Sequence, residues 1–182
     1  VDRFIGPGAT RAEVALQAGA GLAAVALLLA YRAAAELPWT AVQTIIAALL
    51  ALDMAGGVVT NASAAAKRWY HRPGQGARQH LLFIAAHGVQ LLLVLAFFRP
   101  GDGLYVAVAY GYLLVCAAGI VALPRYLQRP AAMLAWMGGL LLSLYGLPPV
   151  AGLEWFLPVF YLKLLVCHLL REDPFTPPPA KA

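Results

Sequence analysis

Five ionisable side chains stand where the chain offers them little water. Asp53, His80, His87, Lys163 and His168 lie inside apolar runs or at their edges. A carboxylate, imidazoles and an amine in such places can exchange protons, pair as ions or bind a metal. Counting back from the runs' common end groups them. Asp53 lies eight residues before Asn61, Lys163 eight before Arg171, and His87 ten after Ala77. At the standard helical rise these depths are about 12, 12 and 15 Å. Asn61, His80 and His168 form a shallower layer. His80 and His87 are seven apart and share one helix face. Lys163 and His168 differ in phase by about 140°, so a regular helix cannot aim both into one seam. The expected seam places Asp53 near His87 and Asn61 near His80. Lys163 either bends round to Asp53 or faces another neighbour.

Three chemistries suit this set. The first is a membrane-embedded hydrolase or transferase for a lipid-like substrate. In it His80, His87, His168 and Asp53 are candidate ligands for a divalent metal such as zinc, which would activate water. Asp53, His87 and Lys163 are the candidate catalytic groups: His87 as base or ligand, Asp53 as orienting carboxylate or ligand, and Lys163 as charge partner. Asn61, Arg68, Arg72 and Arg78 would receive the substrate, the arginines by holding a phosphate headgroup. The donor types are similar in kind to those of intramembrane zinc hydrolases of the alkaline ceramidase group, which would imply a metal-bound water. However, the chain has no His-x-x-x-His and only four histidines. A metal-free version would use His87 as general base with Asp53 orienting it. The second chemistry is a small proton- or cation-coupled transporter or channel subunit using Asp53, His87 and Lys163. The third is a b-type haem held by His80 and His168.

The elements that must position these groups are membrane helices. The 182 residues are 62% hydrophobic and 12% charged. Soluble domains carry about a quarter charged residues. That balance excludes a disordered chain, a coiled coil and a disulfide-stapled module. Six apolar runs, at 12–35, 39–61, 77–98, 103–123, 126–146 and 151–170, predict an all-α integral membrane protein. The expected architecture is a six-transmembrane-helix bundle with short loops and no soluble domain. The runs are continuous rather than alternating, which argues against a barrel. The longest predicted loop is 62–76, and 171–182 reads as a disordered cytoplasmic tail. Cys116 and Cys167 sit apart in apolar runs, with no CxxC between them.

Charge sets the expected orientation. Six spans would put Arg3, Arg11, Lys67, Arg68, Arg72, Arg78, Arg125, Arg129, Arg171 and Lys181 on one face, and only Arg32 and Arg99 on the other. Positive residues favour the cytoplasmic side, so both termini are expected there, in a plasma (inner) membrane. The net charge of +5 therefore reports topology. Membrane lipids are the expected partners and nucleic acid is not, since no basic stripe lies on a soluble surface. Six spans would also suffice for a subunit of a homo-oligomer.

Overall fold

The computed structural model describes residues 5–172, and every regular element in them is helical. Helix α1 is Arg11–Ala34, α2 is Ala41–Ala62, α3 is Ala64–Tyr70, α4 is Ala77–Ala86 and α5 is Gly88–Phe98. Helix α6 is Gly103–Ala122, and α7 is Arg125–Leu141 with a π-helical turn, Leu142–Gly146. Helix α8, Phe156–Tyr161, continues as π-helix over Leu162–His168. Four stretches are long and apolar enough to cross a membrane: α1, α2, Ala77–Phe98 and α6. The fifth and sixth predicted runs become shorter helices: 17 residues in α7, and Phe156–His168 at the end. The proposed tail lies outside the described residues beyond Glu172.

The caps explain several boundaries. Thr10 and Thr40 each open a helix with a capping box, closed by Glu13 and Gln43. Ser63 ends α2 and accepts the Ala66 N–H at 3.3 Å. The 62–76 segment is consequently not a simple loop: Ser63 and the alanines after it start α3.

The run at 77–98 is broken at His87. Its Nδ1–H donates to the Phe83 carbonyl at 2.8 Å. That carbonyl would otherwise accept the His87 backbone N–H, which bonds Ile84 O at 3.1 Å instead. The Tyr110 hydroxyl donates to Ala85 O at 2.7 Å, beside the same break. Side chains thus compete with the helical ladder and displace it.

The core is built around the last helix. Phe156, Phe160, Tyr161, Leu164 and Leu165 are fully buried. α8 and its π continuation pack against α2, α6 and α7. Polar donors tie these helices through backbone carbonyls. Tyr161 donates to Ala109 O at 3.0 Å, Tyr112 to Ala135 O at 2.6 Å, and Trp136 Nε1 to Pro158 O at 3.1 Å. Such bonds add specificity where apolar packing alone distinguishes helix from lipid poorly. Gly139 lets the Tyr161 ring approach, because a Cβ there would collide with it. The outward faces carry the remaining apolar residues, including Leu27 at 71% exposure and Val115 at 73%. A surface of that kind suits lipid better than water.

Candidate functional site

The five buried or half-buried ionisable groups fall into two layers. In the deeper one Lys163 is 3% exposed, and its ammonium pairs with Asp53 Oδ1 at 2.7 Å. The Gln90 amide donates to Asp53 Oδ2 at 3.0 Å. Both carboxylate oxygens are therefore engaged, and the Asp53 side chain remains 44% exposed. Gly57 makes the approach possible, since a Cβ there would collide with the Lys163 stem. His87 is oriented by the Phe83 carbonyl rather than by Asp53. Its donating Nδ1 leaves the Nε2 lone pair available in the neutral ring.

In the shallower layer His80 Nδ1 and His168 Nε2 are hydrogen-bonded at 3.2 Å. His168 stacks on Phe83 with ring centres 3.8 Å apart. His71 stacks on His80 at 4.4 Å, and its Nε2–H donates to the His168 carbonyl at 3.1 Å. Tyr70 meets the His168 ring edge-on at 5.2 Å. Burial beside cationic neighbours pushes the His71 imidazole down to about 4, with His80 and Lys67 adding to the effect. The ring is neutral at pH 7, with its lone pair on Nδ1.

The π-helix joins the two layers. Its i→i+5 closure places residues five apart one turn from each other. Leu169 N–H accordingly reaches Leu164 O at 3.2 Å. Lys163 and His168 are five apart, so the phase conflict predicted for a regular helix disappears. One element sends Lys163 to Asp53 on α2 and His168 to His80 on α4.

The expected metal set is not gathered. Among the described residues, no three His, Cys, Asp or Glu side chains are placed to hold a metal ion. Asp53 is occupied by Lys163 and Gln90, and His80 and His168 bond each other. The same direct contact leaves no gap for a porphyrin between the two rings, so a bis-histidine haem does not fit.

The predicted substrate residues are dispersed. Asn61 is 5% exposed and its Nδ2 has no hydrogen-bond partner; no bond joins it to His80 among the described residues. Arg72 lies over the Trp69 ring at 3.7 Å, Arg68 lies within electrostatic reach of Glu13, and Arg78 is exposed.

Sequence reasoning missed His71, Gln90 and Lys67. His71 lies in what reads as a solvated turn. Gln90 sits one helical turn beyond His87 and gave no charge signal. Lys67 reads as one more topology charge, yet it is 4% exposed. Its ammonium donates to Cys167 O at 2.7 Å and Leu170 O at 2.6 Å, capping the last helical carbonyls. Burial pushes its ammonium down, and Glu172 at 3.6 Å opposes that shift.

A cavity of about 180 Å³ opens beside the shallow layer, with His71, His80, Gln75, Arg125, Gln128 and Arg171 among its lining residues. No protein-family model matches the chain, and no curated protein or solved structure shows significant similarity to it.

Proposed function

We propose that this chain is an integral membrane enzyme, a hydrolase or transferase acting on a lipid-like substrate at the His71–His80 wall. All six apolar runs would cross the bilayer, with both termini and the imidazole layer on the cytoplasmic side of a plasma (inner) membrane. The observation that supports this reading is the stacked imidazole pair at the mouth of a cavity also lined by two arginines. The neutral His71 ring offers Nδ1 as a general base for water or an acceptor alcohol. His80 supplies a hydrogen-bond donor rather than a second base. If His168 donates Nε2–H to His80 Nδ1, then His80 Nε2–H can hydrogen-bond the leaving-group oxygen, to which the protonated His71 returns the proton it took. That tautomer also leaves His168 Nδ1, which has no partner, as a bare lone pair rather than an orphaned N–H. An anionic substrate would raise the low His71 proton affinity when it binds.

The test uses the purified full chain in neutral detergent with 4-nitrophenyl dodecanoate and 4-nitrophenyl phosphorylcholine. The expected result is turnover of at least one, reduced about 100-fold or more in His71→Gln and in His80→Gln. Tyr145→Phe, at the opposite end, should retain it. Turnover of neither probe, or turnover that survives both His substitutions, would overturn the reading.

A second reading rests on the deeper pair. A buried lysine bound to a half-exposed carboxylate, with the His87 imidazole within electrostatic reach, could pass protons along a transport cycle. In sealed vesicles that reading requires pH-gradient-driven flux that Asp53→Asn abolishes. The acid–base reading requires none.

A further inference from the structure

A second cavity, of about 700 Å³, lies at the same end of the bundle and shares Arg125, Gln128 and Arg171 with the smaller one. It sits between the α2–α3 elbow, the first turns of α7 and the end of the π-helix. Four cations line it: Lys67, Arg125, Arg129 and Arg171. Glu172 is the one carboxylate in the lining, and its contact is to Lys67 at 3.6 Å. Among the described residues, Arg125, Arg129 and Arg171 have no ion-pair partner.

These guanidiniums are exposed but gathered around one cavity rather than scattered. Arg125 and Arg129 are four apart on α7 and so share one face of it. Arg171 enters from the end of the last helix, and the anchored Lys67 ammonium fixes a positive charge in the wall. The cavity also lies at the N-terminus of a 17-residue helix whose cap, Pro124, makes no side-chain bond to the first N–H groups. Those N–H groups and the helix dipole favour an anion. Planar guanidiniums match phosphate oxygens in pairs. The volume exceeds what a bare phosphate ion fills and is in the range of sites for larger ligands.

We propose that this cavity binds a phosphate-bearing anion, with Arg125, Arg129 and Arg171 as its clamp. The phosphate belongs either to a lipid headgroup or to a small soluble phosphate compound. This site replaces the Arg68, Arg72 and Arg78 set expected from sequence. Binding here goes beyond the acid–base reading and does not depend on turnover.

The test is native mass spectrometry of the full chain in neutral detergent, with phosphatidylglycerol or phosphatidylcholine added. Thermal stability is measured in parallel against inorganic phosphate. A lipid source predicts retained phosphatidylglycerol that millimolar phosphate displaces poorly. A soluble source predicts stabilisation by phosphate with no preference between the lipids. In either case the triple variant Arg125→Gln/Arg129→Gln/Arg171→Gln should bind about 100-fold more weakly or worse, each guanidinium contributing several-fold. Arg11→Gln removes one exposed cation outside the cavity and should change binding less than about twofold. The triple variant also has to elute and melt as a folded protein. Equal binding by wild type and triple variant, an equal loss in Arg11→Gln, or no binding of any of the three probes would overturn the proposal.

Discussion

The two polar layers solve the same problem in opposite ways. The deeper layer keeps its charge and compensates it: Lys163 faces Asp53, and Gln90 takes the second carboxylate oxygen. The shallower layer has no ion pair among the described residues. His71, His80 and His168 are arranged by ring stacking and single hydrogen bonds. A compensated pair is rigid, and its members depend on each other. An uncompensated imidazole cluster can take or release a proton without dismantling an ion pair. That difference is why acid–base chemistry fits the shallow layer better.

The largest effect should come from breaking the deeper pair on its exposed side. Asp53→Ala leaves the Lys163 ammonium buried without its counter-ion, which should cost about 3 kcal/mol, the lower end for a broken buried pair because Asp53 is half-exposed. Lys163→Met leaves only that half-exposed carboxylate and should cost about 1 kcal/mol. The double variant Asp53→Leu/Lys163→Met should recover most of the loss. Thermal and denaturant melts in detergent check all three. Equal costs for the two single variants would mean that the layers are not compensated as described.

An intermediate effect tests whether the pair depends on its glycine. Gly57→Ala would drive a Cβ into the Lys163 stem. The stem is flexible and can move, but only by pulling its ammonium from Asp53, at a cost of about 2 kcal/mol. At Gly56 the nearest atom to an added Cβ is Gln17 O, at 3.5 Å, an ordinary contact. Gly56→Ala should therefore be neutral or slightly stabilising. Both melts are needed, since a similar loss in the two would point to general crowding of α2.

These two layers also mark how far the sequence could be read. The helical class, the apolar runs and the common depths of Asp53 and Lys163 follow from composition and axial counting, which depend only on rise per residue. The broken helix at His87 and the π-helix at Leu162–His168 do not follow. Both arise where a carbonyl's usual backbone partner is displaced, and a periodicity scan assumes that ladder is intact. The Lys163–His168 conflict was a visible trace of the π-helix, since only a change of pitch lets both face inward. His71 was hidden for another reason. Its burial comes from tertiary contact with His168 and His80, while its local sequence, Tyr-His-Arg-Pro-Gly, has the character of a solvated turn.

The smallest effect should come from His71, and it carries the comparison into pH. The imidazole sits near 6.5 in the unfolded chain and at about 4 in the folded one. Between those values the unfolded state binds a proton that the folded state does not. Stability must then rise with pH across the window, and must be lost as pH falls from about 6.5 to 4. His71 is only partly buried, so solvent limits the loss to about 1 kcal/mol. His71→Gln keeps a donor for the His168 carbonyl and removes the titration. The variant's melting temperature should vary less than wild type between pH 6.5 and 4, while the two should run parallel above pH 7. Identical pH profiles would mean that the stacked ring gains its proton as readily as a solvated one. The shallow layer would then be charged under mildly acidic conditions, and its contrast with the Asp53–Lys163 pair would rest on geometry alone.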